Sequence, residues 1–238
     1  MKPETSSSPY RCAVYFAPAI GSHWHARGSH WLGRDAASGA ALPQPDVPGV
    51  AGARLQQLTA APRRYGWHAT LKAPFTLAPG RSLADLRQAL QALAAQVPRF
   101  ALPPLEAVLL DGFMALCPAS ECAALDAVAA ACVTQLQPLA APLDQAELAR
   151  RRGSGLGPRE DALLQRWGYP WVLEAFRFHF SLTGPLDDAS AAEREALLAA
   201  ARSQFGPLAP CDFDRLSLFV EPHKGADFQL LDQVELRG

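Results

Sequence analysis

The sequence predicts an α+β fold in two similar halves, each offering the polar face of one strand to a shared groove. Three observations carry this. Strand-like and helix-like segments alternate along the chain, their order repeats in outline in the second half, and two of the strands bear the same His-x-Thr/Ser-Leu pattern. Two antiparallel sheets facing a central groove, with helices outside, are the expected architecture.

The first strand is Arg11 to Ala17, an apolar and aromatic run closed by Pro18. From Ala19 to Pro62 the chain is rich in Gly, Pro and His and reads as a long irregular segment with a helix only over Gly49 to Thr59; such loops usually carry function. Tyr65 to Phe75 is the second strand. A helix follows, with Ser82 as cap and Asp85 three residues on. Its apolar positions Leu83, Leu86, Leu90, Leu93 and Val97 recur at helical spacing until Pro98. Leu105 to Leu110 and Phe113 to Cys117 form a hairpin about Asp111-Gly112.

The second half repeats this order. Helices are predicted over Ser120 to Leu136, Arg159 to Trp167 and Ala189 to Phe205, and strands over Phe176 to Thr183, Leu216 to Val220 and Phe228 to Val234. The domain reading is a disordered tail over 1–9 and a single bilobal domain over 10–238, with lobe 1 at 10–118 and lobe 2 at 119–238.

Composition narrows the function classes. Of 238 residues 49% are hydrophobic, enough for a sizeable core. Lys plus Arg number 22 against 23 Asp plus Glu, so no global field draws the chain to nucleic acid or an anionic membrane, and any anion site must be local. No run approaches the roughly 20 apolar residues of a membrane helix, and Met1 to Pro9 lacks the apolar stretch of a signal peptide. Cys12, Cys117, Cys122, Cys132 and Cys211 show neither the close pairs of a zinc site nor a disulfide framework and read as free thiols. The expected setting is the cytoplasm.

Strand parity singles out two of the six histidines. Alternate residues of a strand face opposite sides. Trp67, Ala69, Leu71 and Ala73 should therefore point one way and His68, Thr70 and Lys72 the other. Likewise Phe176, Phe178, Phe180 and Leu182 should oppose Arg177, His179, Ser181 and Thr183. A histidine packed in a core would sit within the apolar set, and neither does. One polar strand face commonly just meets water; two equivalent ones in two similar halves point to a site. An imidazole with a pKa near 6.5 serves at neutral pH as base or acid, and hydroxyls two residues along can hold phosphoryl oxygens. That combination suits phosphodiester cleavage.

These paired motifs resemble the two-histidine (2H) phosphoesterase superfamily of RNA-ligase-like and cyclic-phosphodiesterase proteins. The strings Trp31-Leu32-Gly33-Arg34-Asp35, Arg64 through Phe75, Trp167-Gly168-Tyr169-Pro170 and Phe176 through Gly184 resemble its branch found with bacterial phosphonate-degradation genes. The resemblance runs from about Tyr10 to Leu236. It implies a bilobal fold with pseudo-two-fold symmetry, one motif per lobe, catalysis by His68, Thr70, His179 and Ser181, no metal and no cofactor. For the branch it implies a cyclic phosphodiesterase that opens a ribose cyclic phosphate carrying a 5-phosphate. Ser181 stands where the superfamily often has Thr, which keeps the hydroxyl.

Around this centre Lys72, Arg177, Thr183 and Tyr15 are candidate substrate-binding residues by parity, each also readable as an ordinary surface or packing residue. Arg151 and Arg152, in the run Arg150-Arg151-Arg152, are candidates for a second phosphate; most charge runs are solvated faces. Trp31, Arg34 and Asp35 are candidates for a lid. His23, His25 and His30 lack the carboxylate or cysteine partners of a metal site. Ser154-Gly155-Leu156-Gly157 lacks the Lys-Ser/Thr of a phosphate-cradling loop. The expected partner is a small phosphorylated molecule bound by a monomer. The competing readings are an RNA-end enzyme acting on 2',3'-cyclic phosphates or 2',5' linkages, which the charge balance disfavours, and a non-catalytic sensor of a phosphorylated ligand.

Overall fold

In the computed structural model residues 9–153 and 155–237 are described, so the tail expected over 1–9 lies, but for Pro9, outside the described residues. Seven strands form one sheet: β1 (Arg11–Phe16), β2 (Ala69–Phe75), β4 (Leu105–Leu110), β5 (Phe113–Pro118), β6 (Phe180–Pro185), β8 (Arg215–Glu221) and β9 (Gln229–Glu235). Its order is β4-β5-β6-β2-β1-β8-β9, with neighbours antiparallel. The short strands β3 (Phe100–Ala101) and β7 (Asp212–Phe213) pair separately.

The two expected sheets are recognisable as β4-β5-β6 and β2-β1-β8-β9. They meet at one ladder pair, Ala69 with Phe180, and so form a single sheet. Their composition does not follow chain order. The hairpin β4-β5 from the first half lies on β6 of the second, and the hairpin β8-β9 from the second half lies on β1 of the first. A division at 118/119 therefore cuts the chain but not the sheet.

Strand alternation divides the side chains between two faces. Cys12, Val14 and Phe16 of β1, with Leu216, Leu218 and Val220 of β8 and Phe180 and Leu182 of β6, join the main core. Helices α1 (His23–Leu32), α4 (Leu83–Ala94), α5 (Ala123–Leu136) and α8 (Ala191–Phe205) bury their apolar stripes in the same core, through residues such as Leu32, Leu90, Cys132 and Phe205. Both α4 and α8 start with a capping box, Ser82 with Asp85 and Ser190 with Glu193, which satisfies otherwise unpaired N–H groups of the first turn. Ala13, Tyr15, Ala17 and Phe219 face the opposite side, where Phe228 and Ala36 cover them. The β4-β5 turn has φ of 45° at Asp111 and 89° at Gly112, the left-handed pair that a two-residue hairpin favours.

The segment before Pro62 is more regular than its composition suggests. It contains α1, α2 (Gly52–Leu58) and α3 (Ala60–Tyr65). The Ser22 hydroxyl accepts from the His25 amide at 3.1 Å, and Gly33 closes α1 in the left-handed conformation. Gly28 on α1 is required by a close approach, because a Cβ there would stand 1.9 Å from the Trp67 ring. Trp67 in turn stacks between Phe180 and Phe205, with ring centroids 4.7 and 5.3 Å away. In the second half α6 (Gln145–Arg152) carries the basic run in its last turn, and α7 (Pro158–Trp167) follows. All five cysteines are free, and burial pushes the thiols of Cys12, Cys132 and Cys211 up to about 12.

Candidate active site

The strands of the two motifs begin later than parity alone suggests: β2 at Ala69 and β6 at Phe180, each one residue after its histidine. Both histidines thus occupy the last extended position before pairing begins, and their rings are held alike. His68 Nδ1 lies 2.8 Å from the carbonyl oxygen of Gly66, and His179 Nδ1 lies 2.8 Å from that of Arg177. A carbonyl oxygen only accepts, so Nδ1 carries the proton in both rings. Each neutral ring then has its lone pair on Nε2.

Continuing the Ala69–Phe180 register by one residue each way sets Thr70 opposite His179 and His68 opposite Ser181. Ala69 and Phe180 point into the core. The four polar residues face the other way, and all four line one groove of about 330 Å³ with Tyr15, Tyr65, Phe113, Tyr169 and Thr183. Two imidazoles and two hydroxyls thus alternate about a local two-fold axis between the bridging residues.

The rings are packed from behind. Tyr15 stacks on His68 at 3.9 Å between centroids and 30° between planes, and Phe113 meets His179 edge-on at 5.4 Å. The Thr70 hydroxyl lies 3.4 Å from His68 Nε2. Burial lowers the His68 pKa to about 4, opposed by the bond to Gly66 and reinforced by nearby His179. Burial also lowers that of His179, which feels both Arg177, lowering it, and Asp111, raising it. Both rings are therefore neutral at pH 7, and each Nε2 can accept a proton. A bound phosphate would favour the imidazolium form of either.

The other residues singled out by sequence divide. Tyr15 lines the groove, buried, with its phenol pKa raised chiefly by that burial. Thr183 also lines it, but its hydroxyl accepts from the Met114 amide at 2.9 Å and so holds β6 to β5. Arg177 stands at the rim in an ion pair with Asp111. Both residues border a neighbouring annex of about 190 Å³, which shares His179 and Tyr169 with the groove.

Lys72 is not in the groove. The pairs Tyr15–Thr70 and Val14–Lys72 leave Leu71 as an extra residue on β2, and this bulge turns Lys72 to the face of Val14. Its ammonium is buried there, donating to Gln137 Oε1 at 2.8 Å and to the Val133 carbonyl at 3.4 Å, with its pKa lowered by burial to about 8. Arg152 is engaged outside the groove with Asp161, at 2.6 Å. Arg151 donates to the carbonyl of Gly168, next to the groove residue Tyr169, at 2.6 Å. Of the residues considered for a lid, Trp31 is a core side chain that donates to the Leu182 carbonyl, and Arg34 is buried against the Phe228 carbonyl.

Tyr65, Phe113 and Tyr169 line the groove without having been picked out by parity: Tyr65 ends α3, Tyr169 lies just beyond α7, and Phe113 opens β5, the neighbour of β6. The signal for Tyr65 and Tyr169 was their place inside the quoted strings. Among the described residues no group of three or more His, Cys, Asp or Glu is placed to hold a metal ion, and no helix is long and apolar enough to cross a membrane.

An α+β scaffold with two His-x-Thr/Ser motifs opposed in one groove has the build of the two-histidine phosphoesterase class that the motifs resemble. By sequence, the chain belongs to the family described as "Protein of unknown function (DUF1045)", which matches residues 70–229. It is 39% identical, over 98% of its own length and 52% of the other, to the protein of Janthinobacterium sp. (strain Marseille) named "Ribose 1,5-bisphosphate phosphokinase PhnN". It is 41% identical, over 95% and 52%, to the protein of the same name from Laribacter hongkongensis (strain HLHK9). The chain thus spans about half the length of these curated relatives. Similar solved structures include a phosphoesterase, with TM-score 0.42 and 16% identity over 97% of this chain and 100% of that one. Another is E. coli LigT complexed with 3'-AMP, with TM-score 0.41, 16% identity and the same coverage.

Proposed function

We propose that the chain is a metal-independent phosphodiesterase that opens a cyclic phosphate on a ribose-type sugar phosphate, with His68 and His179 as the acid–base pair. The observation that carries this is the like disposition of the two rings, each with Nδ1–H on a carbonyl oxygen and an Nε2 left for chemistry in the same groove. His68, whose pKa burial lowers to about 4, is held over a wide pH range in the neutral form that a base requires, and we assign it that role. Its Nε2 takes a proton from water as the water oxygen bonds to phosphorus. The bond from phosphorus to a sugar oxygen breaks, and that oxygen takes a proton from the His179 imidazolium. Thr70 and Ser181 donate to the non-bridging oxygens, where negative charge accumulates in the transition state. The product is a phosphate monoester on one hydroxyl of the sugar and a free hydroxyl beside it.

The names of the curated relatives support a ribose substrate. Opening a 1,2-cyclic phosphate on ribose that carries a 5-phosphate, with cleavage at O2, yields ribose 1,5-bisphosphate, the compound those proteins are named for phosphorylating. The present chain has no Gly-x-x-x-x-Gly-Lys-Ser/Thr loop. We assign the kinase chemistry to the part of those relatives that this chain does not span, and the supply of its substrate to this one. Phosphorus NMR of the products from ribose cyclic phosphates bearing or lacking a 5-phosphate, in the presence of a chelator, tests the reading. Ring opening should proceed and should favour the 5-phosphorylated compound. A preference below about threefold would leave the link to phosphonate metabolism without support.

One observation favours a second reading. The annex beside His179 is walled by Phe113, Tyr169, Trp171 and Phe176, which would suit a nucleobase. Faster turnover of nucleoside or RNA-terminal 2',3'-cyclic phosphates than of sugar cyclic phosphates would favour it.

A further inference from the structure

The two halves of the groove hold their imidazoles alike by the backbone but cover them differently. His68 is covered by a ring face: Tyr15 lies 3.9 Å away between centroids, with 30° between the planes. His179 meets an edge, with Phe113 at 5.4 Å and 60°. The Nδ1 contact of His68 with Gly66 is partly buried, whereas that of His179 with Arg177 is exposed. His179 also lines both the groove and the annex, and His68 the groove alone. One imidazole is shut in from behind and the other stands in the open.

Strand register explains how Tyr15 reaches His68. Tyr15 on β1 pairs with Thr70 on β2, so His68, two residues before Thr70, is its diagonal neighbour on the same face, a separation that an aromatic side chain can bridge. The residue directly across from His68, continuing the Phe16–Ala69 pair, is Ala17, whose small side chain leaves room for the ring. Behind Tyr15 stands Phe219 of β8, at 5.0 Å between centroids, with Phe228 at 6.5 Å. Ala13 and Ala36 complete this cluster, and Tyr15 is only 1% exposed. Its ring is thus wedged between Phe219 and the imidazole, on a strand paired along both sides.

We propose that Tyr15 is a positioning residue for His68: its ring fixes the plane of the imidazole and keeps water from that face, which suits His68 to be the base and leaves the more open His179 to be the acid. The assignment rests on the acid–base reading of the groove. An imidazolium needs water or an anion about its charge, and a phenol backed by another aromatic ring supplies neither. The attraction of a ring face for a cation works the other way, but burial prevails and the His68 pKa stands at about 4. Other titratable groups face the stack. His179 lies across the groove, Tyr65 at the end of α3 meets His68 at 5.9 Å, and Tyr169 lines the groove from beyond α7. Arg11 and Arg64 lie over the ring of Phe228, and both pair with the buried Glu221. Tyr15 itself stays a neutral phenol, its pKa raised by burial.

Titration of the histidine rings by NMR tests this in the free protein. In the wild type His68 should titrate below His179. Tyr15→Ala should bring the His68 value up toward the ordinary 6.5, and so should Tyr15→Val, a better strand former that guards against loss of fold in the alanine variant. In turnover of a 5-phosphorylated ribose cyclic phosphate these variants should lower kcat about tenfold with KM within about twofold, and move the acid limb of kcat/KM to higher pH. Tyr15→Phe, which keeps the ring and drops only the hydroxyl, should retain the wild-type titration and turnover within about threefold. His68 titrating above His179 in the wild type, or unmoved in the shortened variants, would overturn the role. So would a tenfold loss in Tyr15→Phe, which would give the part to the hydroxyl. The expected titrations in a wild type that opens no cyclic phosphate would instead sink the reaction and leave the hold of Tyr15 on His68 standing.

Discussion

Ala69 and Phe180 are the ladder pair through which the two parts of the sheet meet, and each immediately follows a groove histidine. The separation and mutual orientation of His68 and His179 are therefore set by one backbone pair. Beneath it, Trp67 stacks on Phe180, so the residue before one histidine packs on the residue after the other.

If the two rings act as base and acid, removing either should cost about a hundredfold or more in turnover. His68→Ala and His179→Ala should each show that loss while keeping the wild-type circular dichroism spectrum, since both residues face the groove. Thr70→Val should lower kcat by roughly tenfold or more with little change in KM, because its proposed donor bond strengthens as charge develops on phosphorus.

The lowered pKa values place the pH optimum on the acid side. The base must be unprotonated, which for His68 requires pH above about 4. The acid must be protonated, which for His179 requires pH below a value lowered from the ordinary 6.5. The profile of kcat/KM, which reports the free enzyme, should therefore peak below pH 6.5 and fall above it. A plateau continuing through pH 8 would contradict the assignment. Stability feels the same shift. Between pH 6.5 and 4 the unfolded chain takes up a proton at residue 68 that the folded chain refuses, so stability falls as the pH drops through that window. His68→Gln should reduce the difference in urea midpoint between pH 7 and pH 5.

Lys72 provides the converse test. Lys72→Met should leave kcat/KM within about twofold of wild type and stability equal or higher, because it removes a buried ammonium that shares its face with Val14 and not with Thr70. A tenfold loss of activity at unchanged stability would return the lysine to the groove.

Gly28→Ala separates helix propensity from packing. On propensity the change should stabilise α1 by up to about 1 kcal/mol. The new methyl would meet the Trp67 ring at 1.9 Å, and overpacking of this kind typically costs about 1–3 kcal/mol. Net destabilisation in urea titration is expected, with reduced activity, since Trp67 adjoins His68 in the chain.

Sequence parity read β6 well because its alternation is unbroken: Phe178, Phe180 and Leu182 are core, while His179, Ser181 and Thr183 line the groove. On β2 the same rule failed beyond Leu71. A bulge is decided by the register of the neighbouring strand, and β1 carries no local mark of it. Helix α1 was hidden by three histidines and a glycine of modest helix propensity, although Ser22 and Gly33 mark its ends. The exchange of hairpins between the halves was illegible because periodicity describes an element and not its partner. The shared buried carboxylate of Arg11 and Arg64 brings together residues 157 and 210 positions from Glu221, beyond the reach of any local pattern.

The most direct test of the central claim is the turnover of a 5-phosphorylated ribose cyclic phosphate by wild type, His68→Ala and His179→Ala, followed by phosphorus NMR with chelator present. The account predicts conversion to a monoester by wild type and a loss of at least about a hundredfold in each variant. Full turnover in either variant, or none by the wild type, would contradict it.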